Sequence, residues 1–506
     1  MEKEKKLGST PENSANPVEI KREIIDNVVI TRHRTKIGGK VLAYTATCGT
    51  WVMHEELDKD GEHLGQKPKS AMFFTAYTLD DGKSAANPAN PKTRPIMFCF
   101  NGGPGSSSVW LHMGLLGPKR VLLDHDGNAG APPYQSVDNA YSLLAETDLV
   151  FIDPVGTGYS RMIEGEKTSE FHEYQRDLES VGAFIRLYVS RNERWASPKF
   201  IAGESYGTTR ACGLAGLLQD KYGMYLNGLL LISVALDFQT ICFDHGNDMP
   251  PLIYLPTYAA TAWHHKKLAN DLQKMTLANL MREVENFAMT EYAAGLFQGD
   301  KLPVDAFNDI AKKVARYTGL SVSYVKSTKL RVQIQRFCKE LLRAEGKTVG
   351  RLDSRFTAMD RDSAGEQFEF DPAHAVIGGV FATTFNDYVR RTLKFETDLD
   401  YRVLAGLYQR WGWKDFANRY VNIGETLRVA MNKNPHLKVY VGNGYFDLAT
   451  PHFASDYTVN HLMLDQTLAN NISTYYYEAG HMMYAHQPSL IKMAKDMQGF
   501  VARSLT

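Results

Sequence analysis

The sequence predicts an α/β fold: a mostly parallel, doubly wound central sheet with an inserted, mainly helical cap. Three observations carry that prediction. Six short apolar runs lack the polar alternation of half-exposed strands, as expected of strands covered on both faces. Helical patterns lie between several of them, and strand, helix, strand in alternation is how a parallel sheet is built. The unusual motifs of the chain fall at the carboxyl ends of these runs, where open α/β sheets bind their ligands.

In chain order, the first element is a tail. "MEKEKKLGSTPENSANP" is charged, then rich in Ser, Pro and Asn, and has no apolar segment. A disordered tail is expected over 1–20, and it does not read as a secretory signal. A cytoplasmic protein is the expectation, with a periplasmic or secreted location following if a signal peptide had been removed. The strand runs are "RPIMFCF" (94–100), "TDLVFID" (147–153), "PKFIAG" (198–203), "GLLLISVAL" (228–236), "LKVYVGNG" (437–444) and "ISTYYYEAG" (472–480). One intervening helix is "SEFHEYQRDLESVGAFIRLYV", with Phe171, Tyr174, Leu178, Val181, Phe184, Ile185 and Tyr188 at helical spacing. Another, "TTRACGLAGLLQDKYG", follows Ser205. From 238 to 401 the texture changes to helical stretches such as "DAFNDIAKKVARY", with no recurring strand pattern. The α/β core is therefore expected over 21–237 and 402–506, with a helical cap inserted over 238–401, at the sheet edge where loops tolerate insertions.

Composition narrows the classes. A chain of 506 residues is too long for one ordinary compact core. Its 57 basic and 57 acidic side chains balance, so no global field favours nucleic acid or an anionic membrane. The longest apolar stretches fall far short of a bilayer span. Cys48, Cys99, Cys212, Cys242 and Cys338 are odd in number, widely spread and without C-x-x-C, so they read as buried thiols rather than a metal site or disulfide framework. No cofactor or metal is expected, and oligomeric state is not legible.

The stretch "FIAGESYGTTR" places Ser205 between Gly203 and Gly207 directly after an apolar run. A serine hydroxyl needs an adjacent base to act as a nucleophile at neutral pH. The G-x-S-x-G elbow supplies a sharp strand-to-helix turn in which side chains at the two glycines would strike neighbouring backbone. On such a scaffold the acid and then the histidine come later in the chain. Asp447 in "GNGYFDLATP" and His481 in "EAGHMMY" satisfy both the order and the strand-end placement. His112, His452 and His486 are rival bases, and Asp456 and Asp153 rival acids; Asp153 precedes the serine, against the expected order. "NGGPGSSS" after the first run suits an oxyanion site, with backbone N–H groups of Gly103 and Tyr206 as donors. A phosphate cradle is disfavoured because no G-K-[ST] follows and a proline interrupts.

Together "NGGPGSSS", "DPVGTGYS", "GESYG", "GYFDLATP" and "GHMMY" resemble the serine carboxypeptidases, α/β-hydrolases that remove C-terminal amino acids. The resemblance implies Ser205, Asp447 and His481 as a catalytic triad, with the Gly103 and Tyr206 amides as oxyanion donors and peptides as substrates. It also implies that Asn101, Gly102 and Glu204 bind the substrate's free carboxylate, which requires an O–H···O⁻ bond from a protonated partner. Three departures stand out. Leu115 occupies the place of a second Glu, so Glu204 is expected to be protonated less readily, with Lys119 or Arg120 as possible compensation. Ser106 replaces a disulfide-forming Cys, and the Asp153 loop is one residue short. These suggest a bacterial-type, disulfide-poor branch. An esterase or acyltransferase on the same scaffold is the alternative reading, and a catalytically silent binding protein the third.

Overall fold

The structure, a computed structural model, describes residues 25–80 and 93–506. The tail expected over 1–20 lies outside the described residues. Ten strands form one mixed sheet: β1 (Asn27–Ile37), β2 (Lys40–Lys59), β3 (Glu62–Leu79), β4 (Ile96–Phe100), β5 (Asp148–Ile152), β6 (Arg161–Met162), β7 (Lys199–Ser205), β8 (Gly228–Val234), β9 (Lys438–Gly444) and β10 (Ile472–Tyr477). The order is β1-β2-β3-β5-β4-β7-β8-β9-β10, with β6 paired to β3. The six strands from β5 to β10 along that order run parallel, and β1, β2, β3 and β6 pair antiparallel.

Each apolar run named from the sequence is one of the six parallel strands. Their side chains alternate between two clusters. Met97, Cys99, Leu149, Phe151, Leu230 and Tyr440 enter the core on one face, and Phe98, Phe100, Val150, Ile201, Leu231 and Val441 enter the core on the other. Two buried faces explain the missing polar alternation. Helices α1 (Tyr174–Arg191) and α2 (Tyr206–Tyr222) cover the second face, α1 through one apolar stripe and α2 with residues 206–215 buried on every side.

Three helices between the halves of the sheet, α3 (Met249–His264), α4 (Leu277–Phe287) and α5 (Val304–Thr318), share a cluster of their own, to which Phe446 and Leu448 also contribute. Helix α6 (Pro372–Arg391) behaves differently: Ile377, Val380, Phe381, Phe385 and Tyr388 join the first sheet-face cluster. Helices α7 (Gly424–Lys433), α8 (His452–Asn460) and α9 (Gln487–Arg503) complete the layers. The region between β8 and β9 also carries a short antiparallel pairing of Thr348–Val349 with Thr357–Ala358, which its sequence does not announce.

Three long strands, β1 to β3, precede the first run that the sequence singles out. Much of β1 and the distal half of β2 are exposed, so pairing rather than burial defines them.

All five cysteines are free; four are buried and Cys242 is half-buried. No described helix is long and apolar enough to cross a membrane.

Candidate active site

The parallel strand order reverses between β4 and β7, because the chain runs from β4 to β5 on one side and then to β7 on the other. The crevice at such a switch point is where this architecture binds ligands. The glycine loop leaves β4 there and Ser205 ends β7 beside it.

Ser205 has φ +60° and ψ −130°, a sparsely populated region for a residue with a side chain, and α2 begins at the next residue. Such strain costs about 1–3 kcal/mol and persists only where packing imposes it. Packing of that kind surrounds the elbow: a Cβ on Gly203 would lie 2.2 Å from the Gly207 carbonyl oxygen, and one on Gly102 would lie 2.4 Å from the Tyr206 nitrogen. Glycine at these positions lets the elbow turn and lets the glycine loop lie against it. The Gly103 N–H is donated to no acceptor among the described residues. The Tyr206 amide opens α2, where a helix's first N–H groups have no intrahelical acceptor. Both expected oxyanion donors are thus unspent.

A buried ion pair holds this half of the site. Arg210 Nε donates to Asp177 Oδ2 at 2.7 Å with both side chains inaccessible, while Arg210 Nη1 donates to the Asn101 carbonyl at 2.7 Å and Tyr206 Oη to Asp177 at 3.1 Å. Burial pushes the Asp177 pKa up, against the pull of Arg210. No motif in the sequence singles out Arg210. In place of a disulfide, backbone bonds tie the glycine loop to a distant segment: Ser107 N–H to the Val403 carbonyl at 3.0 Å and Ala405 N–H to Gly105 at 2.8 Å.

On the other side, His481 Nδ1 meets Asp447 Oδ2 at 2.8 Å, and Asp447 is fully buried. The carboxylate also accepts from the Ala449 and Thr450 amides at 2.8 and 3.0 Å and from Thr450 Oγ1 at 2.7 Å, so its orientation is held by three further donors. Burial by itself would lower the His481 pKa; the charges of Asp447 and Glu204 and the Asp447 hydrogen bond outweigh it and hold the pKa above the ordinary imidazole value. That is the environment a base needs if an imidazolium is to form on it. Ser205 and His481 line one cavity of about 490 Å³ with Asn101, Gly102, Gly103, Glu204 and Tyr206. No hydrogen bond joins the Ser205 hydroxyl to His481 in this structure, a contact that often tightens only with substrate in place.

The rival residues lie elsewhere. His112 is buried, stacks on Phe151 and meets Tyr77 Oη at 2.6 Å; burial holds its pKa down at about 3. His452 contacts Glu285 at 2.9 Å, and His486 contacts Ser489. Asp153 accepts from the Ser108 amide and hydroxyl, and Asp456 from Tyr476.

Glu204 departs from expectation. Its carboxyl is buried, accepts from Tyr484 Oη at 2.7 Å, and is pushed up to about 7 chiefly by that burial. Desolvation therefore does what a second carboxylate would have done, and Leu115 does not make Glu204 the readily ionised acid its sequence context suggested. Leu115 is a core residue. Lys119 pairs with Asp138 and Arg120 donates to the Val121 carbonyl, and neither lines the cavity. Asn101 accepts from the Leu111 amide through Oδ1 while its buried Nδ2 has no partner among the described residues.

The loops bearing Asp447 and His481 rest on a segment with no motif of its own. The Arg351 carbonyl accepts from Leu448 N–H at 3.0 Å and the Leu352 carbonyl from His481 N–H at 2.6 Å. Asp353 Oδ2 accepts from Gly480 N–H at 3.0 Å, and the Ser354 amide donates to Phe446. Among the described residues, two groupings could hold a cation, His125/Asp126/His486 and Glu285/His452/Asp456; neither contains a residue that lines the cavity.

The fold and this edge define an α/β-hydrolase with a Ser–His–Asp arrangement. Residues 62–302, just under half of the chain, match the family described as serine carboxypeptidase. The match contains the glycine loop and the elbow; Asp447 and His481 lie beyond it, and their placement rests on geometry. Similar curated proteins include serine carboxypeptidase-like 35 of Arabidopsis thaliana, 25% identical over 49% of this chain and 47% of that protein. Carboxypeptidase Y homolog A of Talaromyces stipitatus is 35% identical over 23% of this chain and 19% of its own length. Serine carboxypeptidase-like 33 of Arabidopsis thaliana is 31% identical over 31% and 30%. The chain thus spans less than half the length of these relatives.

Proposed function

We propose that the protein is a serine-type carboxypeptidase that hydrolyses the C-terminal peptide bond of peptides through an acyl-enzyme. The observation that carries this reading is the buried Asp447–His481 contact of 2.8 Å facing the same cavity as a serine held at φ +60°. Ser205 Oγ attacks the scissile carbonyl carbon as His481 Nε2 takes its proton, and Asp447 stabilises the imidazolium. The oxyanion receives the Gly103 and Tyr206 N–H groups, each worth about 3 kcal/mol of barrier lowering. His481 then gives its proton to the leaving amine, the C–N bond breaks and the amino acid departs. A water loses a proton to His481, its oxygen adds to the acyl carbon, and Ser205 recovers the proton as the shortened peptide leaves. The terminal carboxylate is read by Asn101, the Gly102 amide and Glu204, whose pKa near 7 leaves a protonated donor available below neutrality.

The test is incubation with N-blocked dipeptides, their C-terminal amides and simple esters, with products identified by mass. Free amino acid released only from the carboxylate-ended substrates supports the proposal; ester cleavage alone favours the esterase or acyltransferase reading. Failure of a fluorophosphonate to label Ser205 would leave only a binding role.

A further inference from the structure

Among the described residues that line the catalytic cavity, Arg351 is the one permanently charged side chain. It is half-buried, and its guanidinium takes part in no hydrogen bond or ion pair among the described residues. Two neighbouring acids, Asp353 two residues on and Asp371 bonded to the Leu352 amide, are already engaged. Asp353 is held by Arg355 at 2.6 Å and by the Gly480 amide, and Asp371 accepts from the amides of Leu352, Ala373 and His374. A partly desolvated guanidinium without a counter-charge is unusual, because its planar fork of donors is suited to a carboxylate.

Its place in the backbone says which part of a substrate it meets. Arg351 and Leu352 bind the loops of the acid and the base through their carbonyls, so Arg351 is anchored beside His481, whose charge it also feels. His481 must reach the leaving amine to protonate it, so the leaving group lies on the His481 side of the scissile bond. We infer that Arg351 is a carboxylate-binding residue for the leaving amino acid, distinct from the Asn101, Gly102 and Glu204 cluster; the peptide form of this inference rests on the carboxypeptidase reading. The carboxylate comes either from the chain terminus or from an acidic side chain of that amino acid, and the two sources make different demands on a substrate series.

The experiment compares wild type with Arg351→Gln, Arg351→Lys and Arg351→Glu. Substrates are N-blocked dipeptides ending in Leu, Glu or Lys, and two esters whose leaving alcohol carries a carboxylate or its methyl ester. Because the Arg351 side chain holds neither catalytic loop, fluorophosphonate labelling of Ser205, read at a pH where His481 is neutral, should change less than twofold in Arg351→Gln and Arg351→Lys. Arg351→Gln should lower kcat/KM about tenfold or more on substrates with a leaving-group carboxylate, and leave the methyl ester within twofold. Arg351→Lys should lose less. A uniform loss across all three dipeptides assigns the terminal carboxylate. A loss confined to the Glu-ended one, with Arg351→Glu now favouring the Lys-ended one, assigns the side chain. Equal loss on the methyl ester, or no loss anywhere, overturns the inference. If wild type cuts no dipeptide, the carboxypeptidase reading fails and the ester pair alone decides the role of Arg351.

Discussion

The two halves of the candidate site are built on opposite plans. The nucleophile and oxyanion half comes from two adjacent strand ends, β4 and β7, and its shape follows from steric contacts among glycines within two short motifs. The acid and base half comes from loops after β9 and β10 that are braced by residues 351–354, delivered from the middle of the region between β8 and β9. The first half takes its turn from local sterics and is tied from outside by Val403 and Ala405; the second has no such local determinant and rests on a segment remote in the chain. Catalysis requires both to be in register across one cavity, and each half fails in its own way.

The largest effect falls on the chemistry itself. Ser205→Ala should lower kcat by about a thousandfold or more and abolish fluorophosphonate labelling, while the melting temperature holds or rises as hydroxyl and strain are traded. Labelling of the Ala variant at another serine would overturn the assignment. Next is the ion pair under the nucleophile half. Arg210→Met leaves Asp177 buried without its partner and should cost about 3–5 kcal/mol in urea unfolding, much of it recovered in the double variant Arg210→Met/Asp177→Leu. An additive double variant would show that the pair acts through separate contacts.

The brace under the other half should show a different signature. Asp353→Ala removes the acceptor of the Gly480 amide, next to His481, and should lower kcat about tenfold with KM nearly unchanged. Its labelling rate should fall in parallel, whereas a variant that only lowered stability would label normally below its melting range.

The smallest effect is one of profile. With a carboxylate-ended substrate, kcat/KM should fall as pH rises through about 7, because Glu204 then loses the proton that binds the carboxylate. The acidic limb should rise with pH as His481, whose pKa lies above the ordinary value, gives up its proton. Glu204→Gln keeps an N–H donor at every pH and should remove the fall near 7 but not the acidic limb. An unchanged alkaline limb in that variant would place its origin elsewhere.

The sequence carries the plainest marks where the determinant is local. The six parallel strands were visible as unbroken apolar runs, and Ser205 as a serine framed by glycines, because burial on both faces and a clash at a turn each leave a mark within a few residues. Strands β1 to β3 left a weaker mark. The alternation in "NVVITRHRTKI" is the signal that would find the first of them. Arg351, Asp353 and Arg210 left none: in "RLDSRF" and "GTTR" a charged side chain looks the same whether it meets water, a buried partner or a substrate.

By itself, then, the order of residues determined the six parallel strands, the elbow and the chain order of the three catalytic candidates, since side-chain periodicity and backbone sterics act over a handful of positions. Only the tertiary structure decided that Glu204 is desolvated, that Asp177 neutralises Arg210, and that 351–354 braces the base. Burial and charge pairing are properties of what surrounds a group, and those surroundings are brought in from parts of the chain that share no pattern with it.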